Sequence, residues 1–262
     1  MKFLKSAIFS ITVLSLQTSQ GGEMDRFEKQ RDCPGGQPSE NATDKPAAIY
    51  KDREWMTVRE WCRRFQQNLQ HDDRTTSRVL FFGDSITEGW RDQAHDVWLE
   101  FFADLDPLQL GIGGDQTQQL LWRIENGELD GTKAEIVVLL IGVNNLGSGG
   151  WNEADTVIGI EKVAITITKR LKGVEVLLLK ILPAMADPND PFRKKIQQAN
   201  HLISNIDLKR VTVAGVGEAI TDENGRITLE TTYDYLHPNR QGYLNLAGKI
   251  REQILILKSK RQ

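Results

Sequence analysis

Cysteine, histidine and clustered charge are all scarce in this sequence. Only Cys33 and Cys62 occur among 262 residues, and neither stands in a CxxC pattern or beside grouped histidines, so a zinc or redox site has little support. The formal net charge is −3, with lysine and arginine scattered along the chain, whereas phosphate recognition needs a concentrated basic face. We therefore expect no metal site, no cofactor and no nucleic-acid partner.

Long apolar runs are also missing. The first twenty residues begin with Lys2 and Lys5, continue through an apolar stretch at 7–16 and end in small and polar residues, which is typical of a secretory signal peptide and too short to span a bilayer comfortably. We expect cleavage near 20–22, a secreted or periplasmic location and no stable membrane span afterwards, with an uncleaved anchor as the alternative. In an exported chain Cys33 and Cys62 could form a disulfide, and two separate thiols remain equally open.

The composition divides the chain into three segments. Residues 21–50 include CPGGQPSENATDKP, which is dense in Pro, Gly and polar residues and predicts a flexible, exposed linker. The sequon at Asn41 matters only in a host that glycosylates secreted proteins. We therefore predict a signal peptide at 1–20, a linker at 21–50 and one globular domain at 51–262.

Apolar residues at helical spacing open the predicted domain. From Trp55 onward they predict a helix that packs one face onto the domain, and we interpret this aromatic stripe as core and not as a ligand site. The members are Trp55, Val58, Trp61, Cys62, Phe65 and Leu69.

Short apolar runs then alternate with amphipathic stretches. Continuous Val, Ile and Leu indicate strands buried on both faces, and their alternation with helices predicts a parallel sheet, hence a three-layer α/β/α doubly wound fold with five strands. The runs are RVLFF (78–82), LQLG (108–111), EIVVLLIG (135–142), VEVLLLKIL (174–182) and RVTVAGV (210–216), with helices expected near 115–125, 154–171, 190–205 and 239–257.

Polar and glycine-rich loops follow the first three predicted strands. They are 83–85 (Gly-Asp-Ser), 111–115 (GIGGD) and 142–145 (GVNN). In doubly wound sheets ligands bind outside the carboxyl ends of the strands, where the strand order reverses. We therefore expect these three loops to meet at one rim and to form the functional site.

A serine in the first loop suggests nucleophilic chemistry, which needs a nearby base, a group that orients it and donors for the developing oxyanion. Of the four histidines, His71 and His201 are expected at the surface or in packing, and His95 in the helix after the serine loop. His237 differs because Asp234 precedes it by three residues. Taken alone, this segment would be interpreted by default as a surface pair of Asp234 and His237.

The residues after His237 support a specific local structure. Pro238 restricts His237 to extended backbone and prevents a helix from continuing through it. Asn239 can then begin the last helix as its N-cap. Such a turn can hold a carboxylate against one imidazole nitrogen while the other nitrogen points away.

Four blocks together carry a family resemblance. GDSITEG (83–89), GIGGD (111–115), GVNN (142–145) and DYLH (234–237) resemble, in order, the blocks of the SGNH, or GDSL-type, hydrolase family. The chain is especially similar to the catalytic subunits of intracellular platelet-activating-factor acetylhydrolase over roughly residues 54–256. The resemblance implies a flavodoxin-like SGNH hydrolase fold and a metal-independent carboxylic ester hydrolase of the acetylhydrolase type.

The resemblance also implies a role for each matching residue. Ser85 matches the nucleophile, His237 the general base and Asp234 the carboxylate that orients it. The backbone N–H groups of Ser85 and Gly114 and the side-chain amide of Asn144 match the three donors of the oxyanion hole. Together these residues would form a catalytic triad and its oxyanion hole.

Two acidic residues adjoin these positions. We expect Asp84 to fix the serine loop through backbone hydrogen bonds, and Asp115 to cap the helix that follows it. Neither is expected to take part directly in catalysis.

The chain departs from the resembled subunits in its export signal, its linker and the segment LGSGGWNE (146–153), whose glycines predict a mobile loop. An exported enzyme meets extracellular esters, so we expect it to remove a small acyl group, acetyl above all, from a carbohydrate or lipid alcohol. Trp151 could stack on a sugar or simply pack in the protein. The intracellular subunits that this chain resembles form dimers, so the resemblance also implies a possible homodimer for this chain.

Other functions receive less support. A noncatalytic module that binds acyl glycans or lipids on the same fold is the main alternative, although all five implied site positions are present. A long-chain lipase would need an apolar insertion, which we do not find. A flavodoxin-like cofactor binder would need a phosphate-binding glycine series after the first strand, which this loop lacks.

Overall fold

The computed structural model describes residues 42–49 and 51–261. The predicted signal peptide, Cys33 and the sequon at Asn41 lie outside these residues. Cys62 is buried and is not a free thiol.

Five parallel strands form the centre of the domain, as predicted. They are β1 (Val79–Gly83), β2 (Pro107–Gly111), β3 (Ile136–Leu140), β4 (Glu175–Leu179) and β5 (Val211–Ala214), arranged in the order β2-β1-β3-β4-β5. Every residue of β1 and β3 is buried, which explains the uninterrupted apolar runs. The order reverses at β1, so β1 and its two neighbours define the switch point where ligands bind in such sheets.

Helices flank the sheet and complete the α/β/α layers. The first group makes contacts in series from α4 to α6 to α7, and the second from α2 to α3 to α8. The bounds are α1 (Val58–Leu69), α2 (Ser85–Asp92), α3 (His95–Phe102), α4 (Thr117–Glu125), α5 (Val143–Leu146), α6 (Glu153–Arg170), α7 (Pro191–Ile203) and α8 (Arg240–Ser259). Within the described ranges, no helix has both the length and the apolarity needed to cross a bilayer.

The prediction of an exposed linker is wrong for residues 42–49, because these residues pack against the domain. Ala47 donates its N–H to Gln118 O at 3.1 Å and accepts from Gln119 Nε2 at 3.1 Å. Thr117 Oγ1 donates to Thr43 O at 2.8 Å. Ala47, Ala48 and Ile49 are buried, so small and apolar side chains at the end of a polar segment form an edge of the core.

A fully buried charge network joins α1, α4 and the loop after β2. Arg123 forms ion pairs with Asp115 at 2.5 Å and Glu128 at 2.6 Å, and none of the three side chains is exposed. Trp61 Nε1 also donates to Asp115 at 2.6 Å. The expectation that Asp115 caps α4 is therefore wrong, because its carboxylate is committed to this network and the N-cap is Gln116.

Replacing Arg123 with methionine should destabilise the domain by about 3–5 kcal/mol, because it leaves two carboxylates buried without their cation. Urea denaturation measures this loss. The matched control is Arg78→Met, which removes a solvent-exposed pair with Glu135 and should cost no more than about 1 kcal/mol. Equal losses in the two variants would contradict a special role for the buried network.

Candidate active site

Ser85 stands at a tight bend between β1 and α2. β1 ends at Gly83 and α2 begins at Ser85 itself, so Asp84 is the only residue between them. Asp84 is the N-cap and accepts the N–H of Ile86 at 3.0 Å, which confirms that it fixes this loop through the backbone. As the first residue of the helix, Ser85 has an N–H with no intrahelical acceptor.

The three loops start at the same level of the sheet. Gly83 is in register with Gly111 of β2 and with Leu140 of β3. Ile112 N donates to Gly83 O at 3.2 Å, and a Cβ added to Gly111 would lie 2.7 Å from Asp84 O. The glycine-rich loop after β2 therefore contacts the backbone immediately before the serine.

His237 and Asp234 form a hydrogen-bonded series with Ser85. Ser85 Oγ lies 2.9 Å from His237 Nε2, and His237 Nδ1 lies 2.6 Å from Asp234 Oδ2. The other carboxylate oxygen accepts the N–H groups of His237 at 2.7 Å and Leu236 at 3.0 Å. Partial burial opposes ionisation of Asp234, but these hydrogen bonds outweigh it and lower the pKa of the carboxyl, which keeps it anionic beside the imidazole.

The loop that carries His237 is braced by its own backbone. Tyr233 N donates to His237 O at 3.2 Å, and Thr232 pairs with Pro238 in an isolated bridge. Asn239 Oδ1 accepts the N–H of Gly242 at 3.1 Å, so Asn239 caps the last helix as predicted. The ring of Tyr233 stacks on the imidazole of His237, with centroids 5.5 Å apart and planes within 8°.

The three groups expected as oxyanion donors lie in the segments that follow β1, β2 and β3. Gly114 has a φ of +78°, a region that favours glycine. Within the described residues, the N–H groups of Ser85 and Gly114 donate to no protein acceptor, whereas Gly113 N donates to Glu88 at 2.9 Å. Asn144 Nδ2 donates to Asp115 O at 3.0 Å, which uses one of its two amide hydrogens.

Trp55 corrects the predicted aromatic stripe. Trp61, Cys62 and Phe65 are buried on α1 as expected, but Trp55 precedes that helix and is 53% exposed. A Cβ added to Gly114 would lie 2.0 Å from two atoms of the Trp55 ring. The helical spacing of Trp55 predicted that it belongs to α1. It lies instead in a turn that ends at Met56, before the helix begins at Val58.

Trp151, the aromatic predicted beside the rim, is half-buried. Its Nε1 donates to Gln116 at 3.3 Å and its backbone N–H to Asn145 O at 2.9 Å. These bonds fold the segment after α5 back onto the loop that precedes α4.

The other three histidines lie outside this arrangement. His71, His95 and His201 are all exposed. His95 begins α3 and not the helix directly after the serine loop, α2, where it was expected. In the described part of the chain, no three His, Cys, Asp or Glu side chains are grouped as a metal site.

Asp84 carries an unusual proton affinity. Complete burial raises its pKa to about 7, with smaller contributions from the charges of Asp115 and Glu88, against the lowering effect of the Ile86 N–H. Its Oδ2 is buried with no hydrogen-bond partner among the described atoms. Because the pKa of Asp84 is raised in the folded state, its neutral form stabilises the folded protein. This contribution to the free energy of unfolding is complete below about pH 4 and is lost as the pH rises through 7.

Replacing Asp84 with asparagine keeps the cap and removes the titration. The stability of the wild type relative to Asp84→Asn should therefore fall by about 2–4 kcal/mol between pH 4 and pH 8. Urea melts at several pH values measure this difference. Asp96→Asn is a control with the opposite sign of pH dependence. Arg240 lowers the pKa of the exposed Asp96, so the stability of the wild type relative to this variant should not fall as the pH rises. A difference between wild type and Asp84→Asn that does not change with pH would refute the buried titration.

Comparisons with known proteins point to one family. The model of the GDSL-like lipase/acylhydrolase family matches residues 81–244. Human platelet-activating factor acetylhydrolase IB subunit alpha2 is 32% identical over 208 residues, covering 73% of this chain and 88% of the relative. The human alpha1 subunit is 32% identical over 230 residues, covering 83% and 91%.

Solved structures show the same fold. A GDSL-like lipase from Bacteroides thetaiotaomicron superposes with a TM-score of 0.59 at 24% identity, covering 74% of this chain and 96% of that one. An acetylxylan esterase from Geobacillus stearothermophilus has a TM-score of 0.54 at 17% identity, covering 68% and 94%.

Proposed function

Because the chain belongs to the GDSL-like lipase/acylhydrolase family and is a carboxylic ester hydrolase, we propose that Ser85, His237 and Asp234 perform its chemistry. The proposed reaction removes a small acyl group, acetyl above all, from a carbohydrate or lipid alcohol. The observation that carries this proposal is the continuous series from Ser85 Oγ through the imidazole to Asp234, with bonds of 2.9 and 2.6 Å.

The geometry supports acyl transfer through a serine ester. His237 Nε2 removes the hydroxyl proton as Ser85 Oγ attacks the ester carbon, and the carbonyl electron pair moves onto oxygen. When the carbonyl re-forms, the bond to the alcohol breaks and Nε2 returns the proton to that alcohol. Water then repeats the sequence on the acyl-serine, which releases the carboxylic acid and restores the hydroxyl.

Asp234 holds the imidazole in the tautomer that this step needs. The Asp234 carboxylate, 2.6 Å from His237 Nδ1, accepts a hydrogen bond from the N–H on that nitrogen, which leaves Nε2 without a proton and able to accept from the serine hydroxyl. The same carboxylate stabilises the imidazolium that forms during attack. The backbone N–H groups bound to Asp234 support this role because they keep it ionised.

We assign the oxyanion to the N–H groups of Ser85 and Gly114 and to the amide of Asn144. Their free hydrogens support the assignment, and the second amide hydrogen of Asn144 complements the one that Asp115 O holds. Each such donor typically contributes on the order of 100- to 1,000-fold in rate. Because the protein holds the donors in place before substrate binds, little reorganisation is needed.

The two human relatives, which are subunits of an acetylhydrolase, support a small acyl group. The acylhydrolase reaction itself needs no metal in this scheme. The predicted signal peptide at 1–20 supports action on esters outside the cytoplasm. An intact mass of the exported chain that still includes residues 1–20 would contradict cleavage.

Ser85→Ala should reduce kcat for acetate esters by on the order of 10⁴-fold or more, because no nucleophile remains. Asp234→Asn should cost about 10²- to 10⁴-fold, since it removes the charge that orients and stabilises the imidazole. Acetate release from ethyl acetate measures both.

The matched control is Ser204→Ala, which removes an exposed hydroxyl bonded only to Asn200 O within its helix end. It should retain wild-type activity. Circular dichroism confirms that each variant is folded. Undiminished turnover by folded Ser85→Ala would refute the serine mechanism.

A further inference from the structure

We infer that Trp55 receives the alcohol part of the substrate and that this part is a sugar ring. The inference rests on the proposed ester hydrolysis at Ser85 and concerns a residue outside the triad and the oxyanion hole. Trp55 is therefore assigned as a specificity-determining residue.

A closed turn fixes the position of Trp55. Arg53 and Met56 exchange backbone hydrogen bonds of 2.9 and 3.2 Å, and Asp52 Oδ1 accepts the N–H of Val58 at 2.8 Å at the start of α1. Met56 is buried and would lie 3.5 Å from a Cβ on Gly113. The turn is thus anchored on the glycine-rich loop, and Trp55 occupies its tip.

The edge of the indole, and not its face, meets Gly114. A Cβ on Gly114 would lie 2.0 Å from both Cη2 and Cζ3 but 3.4 Å from Cε3. Only a point in the ring plane, beyond the Cη2–Cζ3 bond, has these three distances. The ring edge is therefore directed at the glycine proposed as an oxyanion donor, and this contact covers neither face of the indole.

Arg53 covers one of those faces. Its guanidinium carbon lies 5.1 Å from the ring centroid, and its Nη1 donates to Gly114 O at 3.4 Å. The cation fixes the ring orientation and places N–H groups beside it. With 53% of Trp55 still exposed, the opposite face is the one left for a ligand.

Exposure decides which part of the substrate this face can contact. The ester carbon must reach Ser85 Oγ, which is less exposed than the rim, so a small acyl group lies inside with it. The alcohol projects outward, where Trp55 and Tyr233, 53% and 52% exposed, stand. Tyr233 stacks on His237, the residue that returns the proton to that alcohol.

The chemistry of this rim fits a sugar better than an alkyl chain. A pyranose has a face of C–H groups that packs on an aromatic ring and hydroxyls at its edge that accept from donors. Trp55 offers the aromatic face, and the guanidinium of Arg53 lies beside it. An alkyl chain would instead need a continuous apolar groove, and the guanidinium beside the indole interrupts one.

The test compares three acetate esters by release of acetate. They are ethyl acetate, acetylated methyl xyloside and an acetylated alkylglycerol in micelles. Trp55→Ala should lower kcat/KM for the xyloside by about 10-fold or more, chiefly through KM, and for ethyl acetate by less than about 3-fold. Trp55→Phe, which keeps an aromatic face, should recover part of the loss.

Trp151→Ala is the matched tryptophan control, and it should not reproduce this selectivity. Equal losses on the xyloside and ethyl acetate, or no loss on either, would overturn the inference. A larger loss on the alkylglycerol would overturn the sugar assignment. If the wild type releases no acetate in a Ser85-dependent manner, the proposed function itself fails, and that result is separate from any change in selectivity.

Discussion

The ion pairs of Arg123 are the interaction on which the site depends most. Removing three charged side chains from water is costly, and the cost is offset only if every partner stays in place. Arg123 meets Asp115 and Glu128 and also donates to the carbonyls of Leu110 and Gly83. The end of β2, the end of β1 and the start of α4 are thereby held around one guanidinium.

The Arg123 network fixes the positions of two proposed oxyanion donors, Gly114 and Asn144, through Asp115. Asp115 directly follows Gly114, and its carbonyl accepts the amide of Asn144 at 3.0 Å. Its carboxylate is held by Arg123 and by Trp61 of α1. A residue expected only to cap a helix therefore connects the glycine loop, the asparagine and the core.

Local patterns predicted most of the fold and the proposed triad. Apolar runs predicted all five strands. Burial on both faces explains the runs of β1 and β3, whereas the edge strands β2 and β5 have half-buried positions and include Gln109 and Thr212. The spacing of Asp234 and His237, followed by Pro238 and Asn239, predicted a turn that places carboxylate and imidazole together. The resemblance carried by the four sequence blocks then predicted that the imidazole of His237 would contact Ser85.

The parts that the sequence did not predict depend on contacts between distant segments. The burial of Arg123 has no local signal, since an arginine on an amphipathic helix is usually exposed. Trp55 matches the helical period of α1 by coincidence, because it lies in the turn at 53–56 that precedes the helix. The packing of 42–49 likewise depends on α4, some seventy residues later in the chain.

The two reacting groups differ in how firmly the fold holds them. Only Asp84 separates Ser85 from the end of β1, so Ser85 has no hinge of its own. His237 instead belongs to a surface loop whose Tyr235 adopts a left-handed backbone with φ 62°, a conformation that costs free energy for a bulky residue. We therefore expect local opening to begin on the imidazole side, so that warming separates the base from the nucleophile while the sheet is still folded.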